Sequence, residues 1–138
     1  MPERYFIDTS IRMDFYEDRI GFKDEPFGDY AFKLLSKIKA KESRIVISDF
    51  LVRELETKYS MEQINGIFRP FEKLIDKVLI AKNQKDEAIK ISSERKVPKG
   101  DALHAIVARD NNLILITRDN HFRNLQDISK HYKPERLI

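Results

Sequence analysis

The chain has 138 residues, of which 41% are hydrophobic and none is cysteine. That is enough apolar material for one core and too little for two, and it excludes disulfides, thiolate zinc sites and a cysteine nucleophile, as fits an intracellular protein. Charged residues make up 36%, but 26 Lys and Arg stand against 23 Asp and Glu, so the net charge is only +3 and the sequence pI about 9.0; a polyanion such as nucleic acid is permitted as a partner and not demanded.

Met1 to Tyr5 lacks the basic start and apolar run of a signal peptide, and no stretch of about 18 apolar residues occurs. A soluble, cytoplasmic protein with a single domain over residues 1–138 is therefore expected. In chain order, Arg4 to Ile7 is a short apolar strand that ends at Asp8. Met13 to Gly28 is an insertion-like segment carrying Asp14, Glu17 and Asp18, and the Pro26–Gly28 turn leads into a helix over Tyr30 to Lys41. Ala31, Leu34, Leu35 and Ile38 form its apolar stripe, with Asp29 available as N-cap. Arg44 to Ile47 is a second strand, and Asp49 to Lys58 a helix. Ser60 and Gln63 give a capping-box signal for the next helix, with Ile64, Ile67, Phe68, Phe71 and Leu74 on its apolar side and a kink expected at Pro70. Val78 to Ala81 is read as a third strand. Helices over Lys85 to Arg95 and Asp101 to Asp110 follow, separated by the Val97–Gly100 turn, and Asn111-Asn112 ends the second. Leu113 to Ile116 is a fourth strand that runs straight into Thr117, Arg118, Asp119, Asn120 and His121. The tail from Phe122 reads as a short helix and a last strand at Arg136 to Ile138.

Short aliphatic strands alternating with amphipathic helices predict an α/β, Rossmann-like three-layer fold: a central, mainly parallel sheet flanked by helices. In such a sheet all strand C-termini open on one edge, and function lies there. Asp8 and Asp119 each sit just past a strand end, and Asp101 opens a helix directly after Gly100, where the helix dipole favours a carboxylate. Glu54 lies six residues after Ser48, about one and a half helical turns from the rim. Four acids can then converge. Carboxylates packed together repel, and without a counter-charge some must bind protons. All-oxygen donors suit Mg²⁺ or Mn²⁺, and such an ion can acidify a water and stabilise the oxygens of a phosphodiester, so hydrolysis of a nucleic-acid backbone is the natural reaction.

Four stretches, IDTS at 7–10, SDFLVREL at 48–55, GDALHAIVA at 100–108 and LITRDNHF at 115–122, occur in the order and form of PIN domains. Nearly the whole chain resembles that family, and most of all its toxin-type, VapC-like ribonucleases. The resemblance implies a metal-dependent endoribonuclease acting on single-stranded RNA, commonly dimeric, and an antitoxin protein as a partner. Its acidic quartet falls on Asp8, Glu54, Asp101 and Asp119, with Ser10 and Thr117 as supporting hydroxyls. Where many members carry a further acid, this chain has His121, which puts a fifth carboxylate ligand and full two-metal occupancy in question.

Taken singly, each acid has a plainer reading: Asp8 as a turn residue, Glu54 as a solvated helix charge, Asp101 and Asp119 as helix caps. Only their joint placement points to a site. His104, one turn after Asp101 among Ala102, Ala105 and Ala108, reads as a structural histidine on a closely packed helix, while His121 is placed near phosphate. Lys99, Arg118, Arg123 and Lys82 flank the same edge and are candidates for RNA phosphates. Phe15, Tyr16 and Phe22 are candidates for stacking on unpaired bases, with core packing the alternative for Phe15 and Phe22. A phosphotransfer receiver would need an acidic pair after its first strand and an acceptor Asp where Ala81-Lys82 stand, and a dehalogenase-like phosphatase would need an Asp at Ser10. The remaining competitor is a PIN-like scaffold that binds RNA or protein with little or no activity, to which His121 is the only pointer.

Overall fold

The structure, a computed structural model, describes residues 3–138; Met1 and Pro2, which begin the stretch read above as lacking a leader, lie outside the described residues. Five strands form one sheet in the order β3-β2-β1-β4-β5, and every pairing is parallel. They are β1 (Arg4–Ile7), β2 (Arg44–Ser48), β3 (Ile75–Val78), β4 (Ile114–Ile116) and β5 (His131–Tyr132). The helices are α1 (Thr9–Glu17), α2 (Phe27–Ala40), α3 (Asp49–Glu56), α4 (Met61–Phe68), α5 (Lys82–Arg95) and α6 (Lys99–Asp110), with short 3-10 turns at Arg69–Leu74, Asn120–Leu125 and Pro134–Arg136.

From β1 the chain steps outward through β2 to β3, crosses back to β4 and steps outward again to β5. Right-handed crossovers in opposite directions put the helices of the two halves on opposite faces of the sheet, and α1 packs on α2 while α5 packs on α6. Both faces of the central strands are thereby covered. Phe6, Ile7, Ile45, Leu115 and Ile116 are fully buried, as are Leu34 and Ile38 of α2, Leu51 and Leu55 of α3 and Ile106 of α6. The order reverses between β1 and β4, and outside the C-terminal ends of strands at such a switch point a crevice opens.

The edges of the sheet depart from expectation. The third strand is Ile75–Val78, not Val78 to Ala81: Asp76 on it receives two bonds from the Arg44 guanidinium, at 3.0 and 2.6 Å. Leu79 points into solvent, and the Ile80 N–H turns away to the Asp49 carboxylate. The last strand is His131–Tyr132, not Arg136 to Ile138, because Pro134 brings in a 3-10 turn where a ladder would need N–H donors. Helix starts move for a related reason. α2 begins at Phe27 behind Pro26, with Asp29 in its first turn and not at the cap, and α6 begins at Lys99 behind Pro98, so Asp101 is its third residue. α5 begins at Lys82, where Gln84 accepts the Ala81 N–H at 2.8 Å. The Ser60–Gln63 capping box forms, and α4 gives way to a 3-10 turn at Arg69–Pro70, next to the expected kink. Ile64, Ile67 and Phe71 are buried within the chain itself.

Two substitutions scale these contributions. Ser60→Ala removes one exposed cap and is expected to lower unfolding free energy by about 1 kcal/mol, whereas Leu115→Ala empties a closed site and should cost about 3 kcal/mol; urea titration of the two proteins measures both.

Candidate functional site

Asp8 follows β1 directly, and its own N–H continues the β1–β4 ladder by donating to the Ile116 carbonyl at 2.9 Å. Its extended backbone makes it the N-cap of α1, so one carboxylate oxygen accepts the Thr9 N–H at 2.7 Å. The other accepts from the Ser10 hydroxyl at 3.1 Å and the Thr117 hydroxyl at 2.8 Å. Thr117, fully buried at the end of β4, also accepts the Asp119 N–H at 3.1 Å. One hydroxyl thus ties together the acids that leave the two central strands.

Glu54 comes from α3, which starts at once after β2 because Ser48 caps it through the Leu51 N–H. One Glu54 oxygen accepts from the Thr9 hydroxyl at 2.8 Å and lies 2.6 Å from His104 Nε2. His104 is fully buried between the rings of Phe6 and Phe50 and stands 3.8 Å from Asp8. Burial works against a charged imidazole, but the bond to Glu54 and the charges of Asp8 and Asp101 outweigh it and hold the pKa of His104 above its usual value. Burial likewise works against the Glu54 carboxylate, and His104 and Thr9 reverse the sign, leaving its pKa below the ordinary range.

Asp101 and Asp119 form the other half. Burial, reinforced by the charges of Asp119 and Asp8, pushes the Asp101 carboxyl up to about 7. Its Oδ2 is buried and accepts no hydrogen bond; His121 Nδ1 approaches to 3.2 Å without hydrogen-bond geometry and sits closer to Asp119, at 2.7 Å. All four acids line a single cavity of about 380 Å³, together with Thr9, Ser10, Met13, Arg19, Thr57 and Lys58. Within it Asp8, Glu54 and His104 offer ligand atoms within 4.8 Å of one another, and so do Asp101, Asp119 and His121. A larger cavity, about 670 Å³, opens at the N-terminal end of β2, where Arg44 is already bound by Asp76; it holds no such cluster.

The donor set fits a hard divalent cation. It is dominated by carboxylate oxygen, one of those oxygens is buried without a hydrogen-bond partner, and burial together with the charges of Asp119 and Asp8 disfavours the ionised form of Asp101. Asp8, Asp101, Asp119 and Glu54 are the residues that could hold Mg²⁺ or Mn²⁺.

The sequence matches the PIN domain family model over residues 5–128, a span that contains all four acids. The chain belongs to the PIN domain family. No curated protein matches it by sequence. Among solved structures, this PIN domain is similar to a chain of a toxin-antitoxin complex from Klebsiella pneumoniae, with 18% identity, TM-score 0.65 and coverage of 94% of this chain and 97% of that one. It is similar to a chain of VapBC2 from Rickettsia felis bound to a promoter DNA fragment, with 18% identity, TM-score 0.64 and coverage of 94% and 98%. A protein from Pyrobaculum aerophilum aligns with 16% identity, TM-score 0.58 and coverage of 99% and 95%. At such identities the likeness is one of fold.

Other residues singled out from the sequence fare differently. Arg118 is engaged internally: it grips Glu135 with two bonds of 2.8 and 2.7 Å, approaches Asp14 to 3.4 Å and lies 3.9 Å over the Phe27 ring, which leaves little of it for a phosphate. Asp14 is buried against that guanidinium, Glu17 accepts from the Tyr59 hydroxyl, and Asp18 closes α1 in a left-handed turn, so none of the three enters the acid cavity. Phe15 packs between Phe32 and Phe71, Tyr16 packs edge-on to Tyr59, and Phe22 is fully exposed. Lys99, Arg123 and Lys82 are exposed, while His121, half-exposed, turns toward the carboxylates. Sequence reasoning gave Thr9 no role and treated His104 as a packing residue; the structure places both on Glu54. The available signal was periodicity, since His104 falls one turn after Asp101 on the same side of α6.

The raised pKa of Asp101 carries a sign. Between its ordinary 3.8 and about 7, the unfolded chain gives up this proton while the folded chain keeps it, so stability falls as pH rises through that window. In chelator at pH 7.5, Asp101→Asn is therefore expected to raise the melting temperature, on the order of 5 °C. The same variant should lose most of the rise that millimolar Mn²⁺ gives the unaltered protein; differential scanning fluorimetry reads both.

Proposed function

We propose that this PIN domain is a Mg²⁺- or Mn²⁺-dependent endoribonuclease of the toxin type, which hydrolyses phosphodiester bonds of single-stranded RNA. The observation that carries the reading is the convergence of Asp8, Glu54, Asp101 and Asp119 from four separate elements on one cavity, with a buried carboxylate oxygen left unbonded. These acids hold the cation. When bound, it lowers the pKa of a coordinated water toward neutrality and offsets negative charge on the phosphate.

The chain's own groups prepare the site. Thr9, Ser10 and Thr117 fix both oxygens of Asp8, so this carboxylate is oriented before any ligand arrives. Thr9 and His104 fix Glu54 and keep it ionised. Ordering these side chains in the folded protein spares that cost at binding. Lys58, on the wall of the same cavity, holds a flanking phosphate, while Arg19 beside it is engaged by Glu17 at 2.8 Å. His121 lies against both Asp101 and Asp119, at 3.2 and 2.7 Å, and would have to give way at one of them for these acids to hold a cation.

The fold shared with chains of toxin-antitoxin complexes supports an antitoxin protein as the partner that restrains the activity. A homodimer and a cytoplasmic setting belong to the same reading. Among the described residues no helix is long and apolar enough to cross a membrane.

The test is cleavage of a panel of single-stranded RNAs in Mg²⁺, in Mn²⁺ and in chelator. Cleavage is expected only with a divalent cation and should fall by at least about a hundredfold in Asp8→Asn, with the fold intact by circular dichroism. RNA that is bound but left intact at millimolar Mn²⁺ would instead support the scaffold reading.

A further inference from the structure

Beside the acid cavity lies a second recess, of about 250 Å³, between α3, α5 and α6. Phe50, Ala88, Ile89 and Leu103 are the apolar side chains lining it, and Arg53, Lys85 and Lys99 are its charged ones. No carboxylate lines it, in contrast to its neighbour. We propose that this recess is a subsite for one unpaired nucleotide of the RNA substrate next to the cleaved bond, its base against the apolar side chains and its phosphates on the three cations. The inference rests on the ribonuclease reading above.

Three observations bear on it. First, the recess adjoins the acid cavity where Phe50 and Glu54 meet the start of α6 at Gly100. A Cβ there would lie 3.2 Å from Glu54 Oε2 on one side and 3.2 Å from the Phe50 ring on the other. Along α3 the order is the same: Phe50 and Arg53 in the recess, Glu54 at the acids, Lys58 beyond them. A strand crossing the acids therefore passes from Lys58 to the recess without leaving the protein.

Second, the charge is complementary where it needs to be. Four carboxylates repel a polyanion, so affinity for RNA draws on Lys58 at the cavity wall and on the cations of the neighbouring recess. Arg53, Lys85 and Lys99 are exposed, and of these only Arg53 has an acidic neighbour, Asp49 at 3.7 Å.

Third, Ile89 is 52% exposed in the middle of α5, a helix whose other outward positions are mostly charged or polar. An aliphatic side chain beside an aromatic one, ringed by basic groups, is the combination that takes the flat face of a base while leaving its sugar-phosphate to solvent and cations. The volume suits one planar heterocycle and not a base pair, which agrees with unpaired RNA.

The chain's lack of cysteine makes the test direct. Ile89→Cys and, as control, Glu72→Cys on the opposite end of the sheet are each alkylated with a bulky maleimide. Binding of a fluorescein-labelled single-stranded RNA is measured by anisotropy in chelator, and cleavage of the same RNA in Mn²⁺. The Ile89 adduct should weaken binding roughly tenfold, the Glu72 adduct should leave it as in the unlabelled protein, and the melting temperatures of the two should agree. In the Arg53→Gln, Lys85→Gln, Lys99→Gln triple variant the slope of log affinity against log salt should fall by about 2. If the unaltered protein cleaves RNA but neither the Ile89 adduct nor the triple variant changes its affinity, the subsite is overturned and the ribonuclease reading stands. If the unaltered protein neither binds nor cleaves RNA, both fall together.

Discussion

Carboxylates gathered at the ends of neighbouring strands repel one another, and much of this molecule is arranged to hold them together regardless. The reversal of strand order between β1 and β4 puts Asp8 and Asp119 beside each other, and Thr117 couples them, donating to one and accepting from the backbone of the other. Helices that start immediately after β2 and after Pro98 deliver Glu54 and Asp101 to the same place. At Asp101 burial, with the charges of Asp119 and Asp8 added to it, raises the carboxyl to about 7.

The two halves of the cluster differ in how they are restrained. Asp8 and Glu54 are bound by hydroxyls, a backbone N–H and a buried imidazole, so their oxygens have fixed directions. Asp119 accepts the backbone N–H of His121 at 2.9 Å, while the buried oxygen of Asp101 accepts no hydrogen bond, and the half-exposed His121 ring meets both acids on the solvent side. Arg19 and Lys58 line the acid cavity itself, and Lys99 stands in the adjoining recess with Arg53 and Lys85.

Much of this was legible in the sequence, for reasons that also explain what was not. Strands covered on both faces are largely apolar, so Arg4 to Ile7, Arg44 to Ile47 and Leu113 to Ile116 stood out, each within a residue of β1, β2 and β4. The edge strand Ile75–Val78 buries little and carries Asp76 and Lys77, so the more apolar residues just after it drew the reading away. The helix starts at Phe27 and Lys99 were read too late because proline, with its fixed φ, stands at the cap in place of a hydrogen-bonding side chain. The acids could be found because topology alone brings strand ends together. Thr9 on Glu54 and Arg118 on Glu135 depend on side chains 45 and 17 residues away meeting at particular angles, and local pattern does not encode that.

The central claim is that these acids form a cation site, and crystals grown with Mn²⁺ address it without reference to activity. Anomalous diffraction is expected to show manganese about 2.1 Å from oxygens of Asp8 and of Asp101 or Asp119. Crystals at millimolar Mn²⁺ in which the metal lies elsewhere, with Asp101 still unbonded in the empty cavity, would contradict the account.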